Sequence, residues 1–203
     1  MAIAMVAPAT SGTINGLWTY KVGAFDSTTR LQMDLWFYPD ANMIKYASQL
    51  EFDQAVFDST LVTGDTPYGT EFMFGSQCDL QKQQWEIFNE AAKTWVAVTP
   101  KISCTTKTIA TGWHHLQETV HRVVGDPGNC SYGGNNYPCE YYDSITIDGV
   151  TTIPTNTNLP AGPLPKGWSS TVLIQVQMNA GPAGTSDNAM TTYYDLMDFS
   201  FIH

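Results

Sequence analysis

At 203 residues the chain has the length of one all-β domain, and a chain of this size buries about 70% of its unfolded surface, enough for a substantial core. Only 14% of residues are charged and the formal net charge is −10, a balance that excludes nucleic acid, anionic membrane surfaces and polyanionic polysaccharides, all of which are met by clusters of Lys and Arg. Neutral ligands and cations stay open, and no apolar run approaches the roughly 18 residues of a membrane-spanning helix.

Residues 1–16 read as an N-terminal extension and 17–203 as a single domain. The opening Met-Ala-Ile-Ala-Met-Val-Ala-Pro-Ala-Thr lacks the basic and long apolar regions of a signal peptide, and reads as a mature N-terminus. A first strand is expected near 17–23. From Arg30 to Tyr38, Leu31, Met33, Leu35 and Phe37 alternate with Gln32, Asp34, Trp36 and Tyr38, the period of a half-buried strand. Pro39-Asp40 marks a turn before a strand at 48–57, and Gly64-Asp65-Thr66-Pro67 marks another. Over 70–78 Phe72 and Phe74 alternate with Glu71, Met73, Gly75 and Gln77. Strands near 84–89 and 94–98 flank Asn89–Lys93, which suits a hairpin turn or a short helix. A strand near 103–109 precedes 113–123, where Leu116 and Val120 share one parity and Trp113, His115 and Gln117 the other. Asp126-Pro127-Gly128 is a turn, and Asp148-Gly149 joins 140–147 to 150–153 as a hairpin. Residues 160–167 are a Pro- and Gly-rich connection within the domain. Over 171–179 Val172, Ile174, Val176 and Met178 alternate with Leu173, Gln175, Gln177 and Asn179, and a final strand covers 192–202. About a dozen strands with long connections predict an all-β fold, a two-sheet antiparallel β-sandwich.

The four cysteines, Cys78, Cys104, Cys130 and Cys139, form no CxxC pair and have no His at zinc-site spacing. Two disulfides are the simplest reading and imply an oxidising, extracellular setting. Three pairings are formally possible. Cys78–Cys104 with Cys130–Cys139 is favoured, because the second bridge pins a short loop. Asn129-Cys130-Ser131 fits the glycosylation triplet, although its Cys is expected to be bridged.

Gly112-Trp113-His114-His115-Leu116-Gln117, followed downstream by Ser144-Ile145-Thr146-Ile147-Asp148-Gly149, resembles the concanavalin A-like lectin/glucanase superfamily, in particular its laminin-G-like jelly rolls. Leu50-Glu51-Phe52-Asp53, Phe74-Gly75-Ser76-Gln77-Cys78 and Trp85-Glu86-Ile87-Phe88 are similar to uncharacterised bacterial surface domains of this class, of the Acidobacteria type. The resemblance runs from about Trp18 to Phe201 and implies a concanavalin A-like jelly roll. It does not choose among lectins, carbohydrate-binding modules, glycosidases, lyases and adhesion modules.

Glu51 and Asp53 point to one face of their strand. Laminarinase-type glycosidases of the superfamily carry a Glu-x-Asp-x-Glu strand there, and Glu51 and Asp53 match its first two places. Ala55 stands at the third, so the general acid is missing, and a second carboxylate has to come from Glu71, Glu86 or Asp34. Parity supplies a wider polar set of Asp34, Trp36, Glu51, Asp53, Gln77, His115, Gln117, Gln175 and Gln177. Amides and carboxylates for sugar hydroxyls, with an aromatic face for sugar C–H groups, are the ingredients of a glycan site.

His115 and His121 share a face about 20 Å apart, too far for one metal, while His114 falls on the core parity. Lyases of the superfamily use His and Tyr with basic residues on acidic sugars, a setting that nine Lys and Arg do not supply. Asp195 and Asp198 are the candidates for a structural Ca²⁺, without a Ca²⁺-loop signature. Trp95 and Trp168, near turns, are further stacking candidates.

The sequence therefore reads as an extracellular carbohydrate-binding or adhesion module for neutral oligo- or polysaccharides, without catalysis or a cofactor. Binding residues are expected to be Trp36, Glu51, Asp53, Gln77, His115, Gln117, Gln175 and Gln177. The alternatives are a glucanase-type glycoside hydrolase using Glu51 with Asp53 or another carboxylate, and a purely structural surface domain.

Overall fold

The alternating segments pair into two antiparallel sheets in the computed structural model, which describes residues 2–6, 14–23, 27–63, 65–123, 130–155, 158–180 and 189–202. In chain order the strands begin with β1 (Ala2–Val6), β2 (Ile14–Gly23), β3 (Arg30–Pro39), β4 (Ala47–Asp58), β5 (Thr70–Asp79), β6 (Gln84–Asn89) and β7 (Thr94–Ala97). They continue with β8 (His114–Arg122), β9 (Cys130–Tyr132), β10 (Asn135–Tyr137), β11 (Cys139–Ile147) and β12 (Val150–Thr152). The last four are β13 (Leu159–Pro160), β14 (Gly162–Pro163), β15 (Thr171–Ala180) and β16 (Ala189–Ile202). The first sheet runs β1-β16-β3-β8-β11-β12 with β13 beside β11, and the second runs β2-β15-β4-β5-β6-β7 with β14 beside β5. This is a two-sheet jelly-roll sandwich. Within residues 1–16, Ala2–Val6 pairs with β16, and the turn at 126–128 and Asn129 lie outside the described residues.

One parity of each long strand is driven into the space between the sheets. Leu31, Met33, Leu35 and Phe37 of β3 meet Leu50, Phe52 and Val56 of β4, Phe72 and Phe74 of β5, and Trp85 of β6, all essentially without solvent exposure. Burying each such side chain is worth about 1.5–3 kcal/mol. Phe52 packs against Phe37 with ring centroids 5.2 Å apart and against Trp85 at 6.0 Å. Three polar intrusions interrupt this core. Glu118 sits on the same parity as Leu116 and Val120, where it accepts from the Gln54 amide and the Ser76 hydroxyl, each at 3.4 Å. Arg122 is buried against Asp58 at 2.6 Å and donates to the Thr28 carbonyl at 2.7 Å. The Tyr142 hydroxyl donates to the Gly75 carbonyl at 2.9 Å, tying β11 of the first sheet to β5 of the second.

The disulfides are Cys78–Cys104 and Cys130–Cys139, with Cα separations of 5.5 and 5.4 Å. Two local expectations need correction. Residues 103–109 form a turn, apart from a single bridge at Ser103, because the Thr105 and Thr108 hydroxyls capture nearby backbone groups and compete with a ladder. Pro39-Asp40 opens a helix, α1 (Ala41–Tyr46), whose first turn is capped by Met43 N–H donating to Asp40 Oδ1 at 2.6 Å. Six residues are too few to display a helical period. The 89–93 segment is the β6–β7 turn, with Lys93 in the left-handed region.

Candidate functional site

The polar set drawn from strand parity divides between two faces that look in opposite directions. Asp34, Trp36, His115 and Gln117 lie on β3 and β8 of the first sheet, whereas Glu51, Asp53, Gln77, Gln175 and Gln177 lie on β4, β5 and β15 of the second. A single binding surface holding all of them is therefore ruled out, since the hydrophobic core separates the two groups.

On the first sheet Asp34 is the hub. It accepts from Gln117 Nε2 at 2.6 Å and pairs with His115 Nε2 at 2.6 Å, while the His115 ring stacks on Trp36 with centroids 4.6 Å apart. Burial raises the Asp34 pKa, but the bonds from Gln117 and His115 outweigh it and hold the carboxyl below its ordinary value. A similar unit recurs at His121, bonded to Asp143 at 2.7 Å and stacked on Tyr141 at 4.6 Å. His114 is buried, with one ring nitrogen on Asp148 and the other on the Ala110 carbonyl, each at 2.8 Å. Asp195 and Asp198 are exposed beside a bulge in β16, and no group of three His, Cys, Asp or Glu with metal-binding geometry occurs among the described residues.

On the second sheet the register aligns chemistry across strands. Gln177, Glu51, Gln77 and Glu86 form one cross-strand row, Gln175, Asp53 and Gly75 the next, and Asn179, Gln49 and Asp79 the row on the other side. Gln177 donates to Glu51 at 3.0 Å and to Asn179 Oδ1 at 2.9 Å, and Asn179 donates to Gln49 at 3.0 Å. Gln175 donates to Asp53 at 2.8 Å. Each amide is thus fixed by a neighbouring acceptor before any ligand arrives. Gln77 is excluded from this surface. It is fully buried and donates to Glu86 at 2.7 Å, while Lys82 and Gln84 occupy the rest of that carboxylate.

Glu51, Asp53, Gln175, Gln177 and Asn179 line one side of a cleft of about 380 Å³, opposite Met73, Phe88 and Trp95. Gly75, without a side chain, lets Asp53 and Trp95 close over β5. A Cβ there would stand 2.7 Å from Asp53 Oδ1, 3.0 Å from Trp95 Cη2 and 3.1 Å from Phe88 Cβ. Trp95 is steadied by Phe88, with centroids 4.9 Å apart. Glu71, Glu90 and Lys93 close one end, with Lys93 against Glu90 and 3.9 Å from Glu71.

Burial raises the Glu51 pKa despite the bonds it receives, and raises the Glu71 pKa against the pull of Lys93. Asp53 is raised well above the carboxylate range by burial, by the charge of Glu51 and by donating its own hydrogen bond to Glu51. Glu140, behind Glu71, is raised well above its ordinary value by burial, although it accepts from Met73 N–H at 2.6 Å.

Three of the hydrolase partners proposed for Glu51 are not arranged for displacement chemistry. Asp34 is on the far sheet, and Glu86 is held by Lys82, Gln77 and Gln84. Glu71 lies six residues along β5 from the residue opposite Glu51, about 20 Å at strand rise. Asp53, two residues along β4 on the same parity, is the carboxyl beside Glu51. Asn179 and Gln49 were absent from the expected binding residues, and Trp95 stood only among the further stacking candidates. The first two share the alternation that selected Gln177 and Glu51, so that signal was available, whereas the placement of Trp95 opposite Asp53 depends on the β5–β6–β7 pairing.

No family profile matches the sequence, and no curated protein matches it. Among solved structures the chain is similar to an endo-β-1,4-glucuronan lyase from the fungus Trichoderma reesei, with a TM-score of 0.53 and 12% identity over 98% of this chain and 79% of that one. It is also similar to alginate lyase A1-II′, a member of polysaccharide lyase family 7, with a TM-score of 0.47 and 11% identity over 98% and 79% of the two chains. A carbohydrate esterase from a Shiga toxin-encoding bacteriophage gives 0.41 and 16% over 89% and 81%. The likeness to the glucuronan lyase supports the fold alone, an antiparallel two-sheet jelly-roll sandwich.

Proposed function

We propose that this chain is an extracellular module that binds neutral glycans in the cleft between Glu51 and Trp95, without catalysis of its own. The observation that carries this reading is the pre-set row of amides and carboxyls, Gln175, Gln177, Asn179 and Glu51, lining one cleft with Trp95 and backed by the buried Asp53. Planar amides and carboxyls match the paired hydroxyls of a sugar ring, and an indole matches its C–H face. Because neighbours already hold these polar groups, binding immobilises few further rotors.

The cleft's chemistry argues against an acidic substrate. Among the described residues lining it there is no His, Tyr or Arg, and its one cation, Lys93, is engaged by Glu90. A polyuronate entering there would face Glu51, Glu71 and Glu90 with nothing free to neutralise it. The similar solved structure named as a glucuronan lyase is consistent with a glycan partner, and the two disulfides with an oxidising, extracellular site. The resemblance to bacterial surface domains agrees with that setting.

One observation favours the hydrolase reading. Burial and the charge of Glu51 raise the Asp53 pKa well above its ordinary value, and neighbouring carboxyls with unequal pKa values are what acid and nucleophile roles require. The test is affinity electrophoresis in xylan, glucomannan and mixed-linkage glucan, with alginate as the acidic control, run beside a reducing-sugar assay. Retardation by a neutral polymer without turnover is expected. Turnover abolished by Glu51→Gln would establish hydrolysis, and retardation by alginate alone would overturn the neutral-glycan reading.

A further inference from the structure

We infer that the opening beside Trp168 is a second and separate binding site, built for a pyranose that carries one anionic group, with the indole against the ring and Lys21 on the charge.

A cavity of about 620 Å³ is lined by Lys21, Gly23, Phe57, Trp168, Ser169 and Thr171. Between it and the Glu51–Trp95 cleft the outer face is closed, because Ala55 and Phe57 of β4, Leu173 of β15 and Leu164 form a buried apolar cluster. The two openings therefore take separate ligands. The cluster is the base on which the second one stands. Trp168 leans on Phe57 with ring centroids 5.2 Å apart, and Lys21 is the cross-strand partner of Leu173, so it rises from the same face.

The backbone on both rims is shaped locally. On β2 the register against β15 shifts between the partners of Val172 and Leu173, which leaves Val22 as a bulged residue beside Lys21. Gly23, with φ of +107°, follows it in a conformation that a side chain would strain. On the other rim Trp168 N–H donates to the Pro165 carbonyl at 3.1 Å, and Ser170 Oγ accepts from Ser59 N–H at 3.0 Å. Trp168 is 51% exposed despite its contact with Phe57. An indole held in one orientation with half its surface in solvent offers a ring-sized apolar face at small entropic cost.

Charge sets this place apart. Of the nine Lys and Arg, Arg30, Lys82, Lys93 and Arg122 are paired with carboxylates, and Lys45 and Lys166 lie over tyrosine rings. Lys21 has neither kind of partner among the described residues, and no Asp or Glu lines its cavity. In a chain of net charge −10 such an ammonium is open to an anion from outside. It balances one negative group. A polyanion would set its remaining charges against the acidic surface, so the ligand is an isolated anionic sugar at a chain end or on a branch. The hydroxyls of Ser169 and Thr171 on the same rim serve the ring's own hydroxyls. The first cleft, lined by Glu51, Glu71 and Glu90, repels the ligand that this one attracts.

The test is calorimetric titration with methyl glucuronoside, glucose 6-phosphate and methyl glucoside, using the wild type, Lys21→Gln, Lys21→Arg, Trp168→Ala and Trp95→Ala, each checked for native thermal unfolding. At least one of the two charged sugars is expected to bind, and the arm that does so tells a carboxylate site from a phosphoryl site. Methyl glucoside competes for that place at least about fivefold more weakly, a preference that shrinks at high salt because the pair is exposed. Lys21→Gln removes the preference and Lys21→Arg keeps it. Trp168→Ala weakens the charged sugar at least about fivefold, and Trp95→Ala leaves it unchanged. Equal affinities for charged and neutral sugars, indifference to Lys21→Gln or to Trp168→Ala, a loss caused by Trp95→Ala instead, or no binding of either charged sugar would each overturn this site. None of those results touches the neutral-glycan reading of the first cleft, which stands or falls on neutral polymers.

Discussion

The Gln54 amide on the inner side of β4 donates to Glu118 Oε2 on the inner side of β8 at 3.4 Å, so a carboxyl group stands between the two sheets with no solvent exposure. Burial pushes its pKa up to about 8, against the pull of the Gln54 and Ser76 bonds. A group raised in this way keeps its proton in the folded state while the unfolded chain ionises near the ordinary Glu value. Its contribution is therefore whole below about pH 4.5 and is lost as pH rises to about 8, a loss on the order of 5 kcal/mol. Glu118→Gln keeps a neutral group of the same shape. Urea unfolding from pH 5 to 9 should show wild type and variant alike at the acid end, with the variant progressively more stable toward the alkaline end. Parallel curves across the range would mean that Glu118 is not held protonated.

Gly75 is required by what surrounds it, since a methyl group would press on Asp53 Oδ1 at 2.7 Å and on Trp95 at 3.0 Å. Gly75→Ala should cost about 1–3 kcal/mol, as overpacked sites do, and should weaken glycan binding by displacing Trp95. Denaturant midpoints and titration with a binding hexasaccharide measure both effects. An alanine variant of native stability and affinity would show that the floor is not closely shared.

The two outer faces should respond differently to loss of an aromatic ring. Trp95→Ala is expected to reduce glycan affinity at least tenfold, about 1.4 kcal/mol, whereas Trp36→Ala, on the far sheet against His115, should leave it within twofold. Calorimetry on both variants decides the matter. The reverse ranking would move the binding site to the Asp34–His115 face.

The two bridges close loops of different length, with sequence separations of 26 and 9 residues. Chain entropy predicts about 3.5 kcal/mol for Cys78–Cys104 and about 2.6 kcal/mol for Cys130–Cys139. Paired Cys→Ser variants compared by chemical denaturation should both be destabilised, the Cys78/Cys104 pair more, because Cys78 and Cys104 also lie in the core.

Most of the strands were legible because their information is local. Leu31, Met33, Leu35 and Phe37 alternate with polar neighbours regardless of partner, and so do Val172, Ile174, Val176 and Met178. Glu118 and Arg122 break that rule, being polar residues on a core parity that only Gln54, Ser76 and Asp58 of the opposite sheet can satisfy. The α1 helix and the turn at 103–109 were missed because short hydrogen-bonded segments carry no period.

The sequence by itself determined which side chains of most strands turn inward and the scarcity of basic residues, and it favoured one of three cysteine pairings. Only the tertiary structure decided which outward side chains are neighbours. Alternation has the same form on either sheet of a sandwich, so Gln117 and Gln177 look alike in the chain, yet one pairs with Asp34 and the other with Glu51 on opposite sides of the core. That division comes from strand partners more than 100 residues apart in sequence, β15 beside β4 and β16 beside β3, and no local pattern encodes it.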